Sequence, residues 1–332
     1  VDLGFLGGGL FKNPGEVFVA INLGNYFAKG LIVKSDTVKD YFIEKSDNLP
    51  QTLKKVWEDK KITARSVKIS LKNHACLVRY FPFPKMDKKK LRQALFYEMN
   101  KFIPFSPGDV YFDFFVLKEI SSSELLILLA VAKKDFIDKT IESFTQANLK
   151  ISEITLDSLA LINLFLNNYE NSKDVNNCIL DIGYEFSTMT ILQKGVPFLT
   201  RDVKLNTKDI LQVISRVKSI PFEDIDKWLS SMKDSSVFLE LAQDNISNLC
   251  KEMKSSFDYF EVNSGEPIDK LYLSGGLSAV KGLEKSFIDN LDTEVEVLEP
   301  LLKQGKDLGD VFSGEQFATI KRTFSVPFGL IT

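Results

Sequence analysis

One local pattern occurs twice in this chain, about 160 residues apart: an apolar strand, a short turn holding a glycine, and a second apolar strand. The first copy runs from Val17 to Asn22, turns through Gly24-Asn25 and continues from Phe27 to Val33. The second runs from Cys178 to Ile182, turns at Gly183, and continues from Ser187 to Leu192. A Lys194-Gly195 hairpin then leads into Phe198 to Val203. Internal similarity at this spacing predicts two lobes of like architecture. The length agrees, because 332 residues exceed what a single core usually encloses. The polar stretch Glu170 to Asn177 is the natural boundary.

Between the two copies the pattern predicts a strand near Val38 to Ile43, a helix from Pro50 to Asp59 and a strand from Ser66 to Leu71. Next comes His74 to Phe81, expected to stop at Pro82 and Pro84, where a ladder loses its donors. Asp87 reads as the cap of a helix to Lys101. Strands Val110 to Leu117 and Leu125 to Ala132 follow, with a helix from Lys134 to Asn148. Asp157 or Ser158 can cap another helix, to Asn167. These elements divide the chain into a loose glycine-rich arm (1–15), the first part of the first lobe (16–74), and an inserted α/β subdomain (75–152). The return to the first lobe with the linker (153–177) and the second lobe (178–312, mostly helical over 207–260) complete the core. A C-terminal helix and tail (313–332) are expected to pack on the first lobe.

Composition narrows the function. The formal charge of −3 offers no broad attraction for nucleic acid. Cys76, Cys178 and Cys250 are scattered and odd in number, which points to a reducing compartment. His74 is the sole histidine, so a histidine-centred triad or a structural zinc site has no partners. It reads as an ordinary turn or strand residue. The most apolar run, Leu125 to Ala132, is far shorter than the ~20 residues a bilayer span needs. The Gly-rich opening lacks the basic leader and long apolar stretch of an export signal. Membrane contact is therefore expected through a partner.

Three turns can carry chemistry. Asn22, Gly24 and Asn25 form a turn whose backbone N–H groups can approach a phosphate, with Lys29 on the next strand as a point charge. A plain hairpin with a solvent-facing lysine explains the same residues. Asp181, Gly183 and Ser187 form the second turn; Asp181 ends an apolar strand, where it can hold Mg²⁺ through water or simply cap the turn. Ser274, Gly275 and Gly276 lie between a strand and a helix and offer a flat backbone surface to a ribose or base. They lack the lysine of a P-loop and the third glycine of a dinucleotide fingerprint. The lysines 85, 88, 89 and 90 read as a solvated helix start. Phe81, Phe83, Phe102 and Phe105 flank proline turns and can serve the core or line a peptide groove.

Taken together, Tyr80-Phe81-Pro82-Phe83-Pro84-Lys85-Met86, Tyr97 to Phe105, Ile179 to Gly183, Thr200-Arg201-Asp202 and Leu273 to Gly276 resemble the PilM family of type IV pilus assembly proteins. More distantly the chain is similar to FtsA and to the cytoplasmic domain of GspL secretion proteins. The resemblance implies an α/β, two-lobed actin-like (ribonuclease H-like) ATPase fold with a small inserted subdomain. Residues 22–29, 181–187 and 274–277 would then be its two phosphate loops and its adenosine loop, and ATP and Mg²⁺ the implied cofactors. It also implies a cytoplasmic scaffold, peripheral at the inner face of the inner membrane. Such a scaffold binds the N-terminal tail of a PilN-like membrane protein in a groove of the first lobe and subdomain, and links it to motor-complex proteins.

The chain departs from that pattern in four places. Asn22 stands where the family has a carboxylate, Asn25 and Tyr26 replace hydroxyl residues, Asn206-Thr207 replaces a glycine pair, and Leu277 replaces a glycine. The expected function is thus a scaffold with a degenerate nucleotide site and weak or absent ATPase activity, down to no nucleotide binding at all. The alternatives are an active Mg-ATP switch gating the same partner, or a GspL-like secretion domain.

Overall fold

The structure is a computed structural model and describes residues 17–35, 37–225, 234–300 and 321–332. The expected arm (1–15) and the beginning of the last block at Ser313 lie outside the described residues. The first lobe begins with β1 (Val17–Leu23), β2 (Phe27–Lys34), β3 (Thr37–Lys45), α1 (Leu49–Asp59) and β4 (Ser66–Leu71). The insertion follows as β5 (Cys76–Pro84), α2 (Lys88–Glu98), β6 (Val110–Glu119) and β7 (Glu124–Lys133). The chain returns through α3 (Lys134–Gln146), β8 (Lys150–Leu156) and α4 (Asp157–Asn168). The second lobe holds β9 (Asn177–Ile182), β10 (Ser187–Gln193), β11 (Val196–Val203), α5 (Thr207–Lys218), α6 (Ser236–Ser264), β12 (Lys270–Gly275), α7 (Leu283–Ile288) and β13 (Glu294–Val297). A short helix, α8 (Ser325–Gly329), ends the described chain.

The two lobes carry sheets of the same design, β3-β2-β1-β4-β8 and β11-β10-β9-β12-β13. In each, the first three strands are antiparallel and the last two join in parallel. All six residues of β9 are buried, as expected of a central strand covered on both faces. The internal similarity seen in the sequence is therefore a duplicated sheet. β8, which periodicity did not reveal, completes the first one; its outer half reads as polar and only Ile154, Thr155 and Leu156 are buried.

The expected cap of α2 forms, with Asp87 Oδ1 accepting from the Lys90 amide at 3.0 Å. α1 also has a cap that sequence reasoning did not name, Asn48 Oδ1 accepting from the Gln51 amide at 3.3 Å. At α4 the expectation fails. The helix begins directly after Leu156 with no side-chain cap, and the Asp157 carboxylate is spent elsewhere.

The insertion folds on its own core of Phe81, Phe83, Leu91, Leu95, Ile127 and Leu129. The prolines do not stop β5: Pro82 pairs with Leu126 and Pro84 with Glu124. The strand lies at the edge of the order β5-β7-β6, where a missing N–H faces no partner strand. α3 stands outside this third core. Its Ile137 and Phe144 are buried in the first lobe.

α4 holds the lobes together. Nine of its twelve residues are buried, the signature of a helix covered all round. Phe165 meets Tyr272 of the second sheet edge-on at 4.8 Å, and α8 packs on it so closely that a Cβ at Gly329 would sit 2.0 Å from the Ala160 carbonyl oxygen. Backbone cannot yield as a flexible side chain does, so Gly329→Ala is expected to lower stability by about 1–3 kcal/mol, read as a lower midpoint in urea unfolding.

Candidate functional site

The ends of the parallel strands place the site, as in other α/β sheets. In the first lobe, β1 sets Asn22 opposite Lys29 on β2 and Ser70 on β4. Lys72 follows the end of β4, and Asp157 follows the end of β8. In the second lobe, Asp181 on β9 is paired with Thr188 and Ser274. The two sheet ends face each other across a cavity of about 400 Å³, lined by all three expected turns.

Its floor is a buried polar cluster. Asn22 Nδ2 donates to Asp157 Oδ2 at 2.8 Å and to Ser70 Oγ at 3.1 Å. Lys72 Nζ donates to the Asp181 carboxylate at 2.7 Å and to its backbone carbonyl at 3.1 Å. This ion pair crosses from lobe to lobe with both side chains largely buried. Lys29 Nζ donates to the Thr323 carbonyl at 3.2 Å. Burial lowers the Lys29 pKa, while the nearby Asp181 and Asp157 charges oppose the drop. Burial, reinforced by Asp181, pushes the Asp157 carboxyl up to about 6. Its Oδ1 has no hydrogen-bond partner.

The mouth is closed by side chains from both turns. Asn25 Nδ2 donates to Glu185 Oε2 at 2.6 Å, and Lys208 Nζ donates to Oε1 at 3.0 Å. Tyr26 lies nearly parallel to Tyr184, centroids 4.3 Å apart at 14°. The third turn is shaped by Gly275, whose φ of +88° and approach to the Ile182 carbonyl leave no place for a side chain. Beside it, among the described residues, nothing lies within 4 Å of a Cβ at Gly276, and buried Ser274 Oγ has no hydrogen-bond partner.

The expected residues Asn22, Gly24, Asn25, Lys29, Asp181, Gly183, Ser274, Gly275 and Gly276 thus all line one cavity. Ser187 does not belong to the lining; it is fully buried on β10. Tyr184 and Glu185 fall within the expected second loop, 181–187, whereas sequence reasoning gives Lys72 and Asp157 no place in the cleft; their position just after the ends of β4 and β8 is the only local signal. Of the four expected groove aromatics, Phe81 and Phe83 are core residues, and Phe102 stacks flat on Phe81 at 3.6 Å. Phe105 lines a second concavity of about 310 Å³, where Leu71 to His74 of the first lobe and Cys76 to Arg79 of the insertion meet Thr200 to Asp202 of the second lobe. His74 sits there edge-on to Phe186 at 3.9 Å and 3.8 Å from Asp202.

The family model described as "type IV pilus assembly protein PilM" matches residues 25–330. This chain belongs to the PilM family. Among solved structures it is similar to a chain of a PilM–PilN type IV pilus biogenesis complex, with a TM-score of 0.83 and 21% identity over 96% of this chain and 98% of that one. It is also similar to the ethanolamine utilization protein EutJ from Carboxydothermus hydrogenoformans, with a TM-score of 0.58 and 11% identity over 96% and 91% of the two chains. The fold is the two-lobed actin-like ATPase fold. Among the described residues no helix is long and apolar enough to cross a membrane, and no cluster of three metal-ligating side chains occurs.

That fold implies a nucleoside triphosphate with Mg²⁺ in the cleft. The turn at Ser274 to Gly276 has the open backbone and the spare polar atom to meet a nucleoside. The residues between the other two turns do not fit a polyphosphate. Asn25 and Tyr26 already touch Glu185 and Tyr184, Glu185 adds a negative charge at that point, and Asp181 is neutralised by Lys72 rather than left for a cation.

Asp157 gives a test of the cluster. Its folded pKa lies above the ordinary carboxylate value of about 3.9, so the fold binds the proton more tightly than the unfolded chain. Stability therefore falls as pH rises from about 4 to 6 and stays reduced above that. Asp157→Asn, which can still accept from Asn22, is expected to stabilise the protein by about 1–3 kcal/mol at pH 7. In thermal unfolding the gain shrinks to nothing below about pH 4.

Proposed function

We propose that this PilM-family chain is a cytoplasmic scaffold of a type IV pilus machine, held at the inner face of the inner membrane by binding the N-terminal tail of a PilN-like membrane protein. The carrying observation is the match in fold, nearly end to end, to a chain whose solved structure is a PilM–PilN complex. The concavity between the first lobe, the insertion and the second lobe supports the reading. It offers an apolar wall at Phe105 and Leu77, the hydroxyls of Thr188 and Thr200, the Arg79 guanidinium and the carboxylate of Asp202, while Arg201 is paired with Glu252. An extended tail that orders on contact needs such a mixture of side-chain pockets and polar anchors. Through that contact the scaffold would connect membrane proteins to the pilus motor.

The scaffold works with weak or absent nucleotide turnover. A carboxylate that organises a metal-bound water is replaced by the Asn22 amide, which is committed to Asp157 and Ser70.

Two measurements test this. A synthetic peptide of the partner's N-terminal tail, titrated by calorimetry, is expected to bind the wild-type protein. Phe105→Ala combined with Arg79→Glu should weaken it at least tenfold, with the unfolding midpoint little changed; equal affinity in the variant would remove the groove from the model. Steady-state phosphate release from Mg-ATP is expected to stay at background. Sustained release that vanishes in Asp181→Asn would instead establish an active ATPase switch.

A further inference from the structure

Contacts across the cleft join lobe to lobe at three levels. Between the turns, half-buried Tyr26 stacks on Tyr184, with the Lys45 ammonium 4.9 Å from the Tyr26 ring on the first-lobe side. At the exposed edge, Glu185 accepts from Asn25 of the first lobe and from Lys208 of its own. On the floor, Lys72 reaches both the carboxylate and the carbonyl of Asp181. At the far end of the same interface, the Tyr80 hydroxyl of the insertion and Thr200 of β11 lie 2.9 Å apart. Each level spends the groups with which an actin-like cleft would grip a phosphate chain: the first turn, the second turn, and the carboxylate below them.

We propose that these residues form a built-in latch that closes the two lobes in place of a nucleoside triphosphate, so that latch and polyphosphate exclude each other. In a cleft that nucleotide closes, lobe position follows the differential affinity of ligand for open and closed states. Here the cross-lobe free energy comes from the chain itself. The stack buries two aromatic faces, and the Asn25–Glu185 bond is charge-assisted. Seating a polyphosphate would require parting the tyrosines and would bring its charge against Glu185. The groove that reads the partner's tail, which spans both lobes at Thr200 to Asp202, is thereby kept in one shape without a nucleotide cycle.

This inference rests on the scaffold reading above, and a paired experiment separates the two. Small-angle scattering and hydrogen exchange are measured on wild-type protein and on the triple variant N25S/Y26S/E185A, each with and without Mg-ATP. Wild type is expected to give superimposable scattering in both conditions, with the amides of residues 24–27 and 183–186 protected throughout. The triple variant should show a larger radius of gyration, lose that protection, and bind Mg-ATP at least tenfold more tightly than wild type. Wild-type lobes that close further on Mg-ATP, unprotected turn amides in nucleotide-free wild type, or equal Mg-ATP affinity in both proteins would each overturn the latch. The wild-type exchange data stand even if the triple variant fails to fold. Loss of tail-peptide binding in wild type would sink the scaffold reading and leave the latch intact, whereas Mg-ATP-dependent closure would sink the latch and leave the scaffold.

Discussion

A lysine from one lobe and an aspartate from the other meet at the bottom of the cleft, and much of the structure is arranged around that pair. Neither charge tolerates burial alone; an unpaired one would cost several kcal/mol. Lys72 follows the last residue of β4, and Asp181 precedes the last residue of β9. Their contact therefore ties the end of one duplicated sheet to the end of the other. Such a pair does not guarantee net stability, but it sets a register: sliding one lobe on the other strands two charges in an apolar gap.

Around the pair, charge has been moved rather than removed. Asn22 brings no carboxylate to β1, yet Asp157 supplies one from the start of α4 only 2.8 Å from the Asn22 amide. The cluster of Lys29, Lys72, Asp157 and Asp181 is balanced, two positive against two negative, within one lining. A cluster with balanced charge has little electrostatic demand left for a highly charged ligand. α4 ties this chemistry to the packing, since the helix that presents Asp157 to the cleft is also the buried element shared by the first core, α8 and Tyr272.

On the proposed scaffold reading, shape matters more than turnover, and the same features would serve it. The insertion has a core of its own, so it can present a surface without disturbing the lobes. Its contact with the second lobe through Tyr80 and Thr200 places one side of the junction concavity under the control of lobe closure. On that reading, a pre-shaped groove would reduce the ordering cost of capturing an extended tail.

The duplicated hairpins, the helix cap at Asp87 and the three glycine turns were readable from residue order, because each depends on neighbours within a few positions. β8 escaped, since its outer half is polar and only its pairing with β4 makes it a strand. The length of β5 escaped for a related reason: proline ends a ladder only if a partner strand lies on its donor side, and here none does. Sequence alone determined that two similar halves would each carry a strand, a glycine turn and a second strand, with Asn22 ahead of the first turn where Asp181 precedes the second. Only the tertiary structure decided that Lys72 and Asp157 complete the cleft and that Tyr184 and Glu185 meet the first turn. The hydrogen-bonded partners of Lys72, Asp157 and Glu185 lie between 23 and 160 residues away along the chain, and no local pattern encodes a meeting that depends on how two separately folded sheets close.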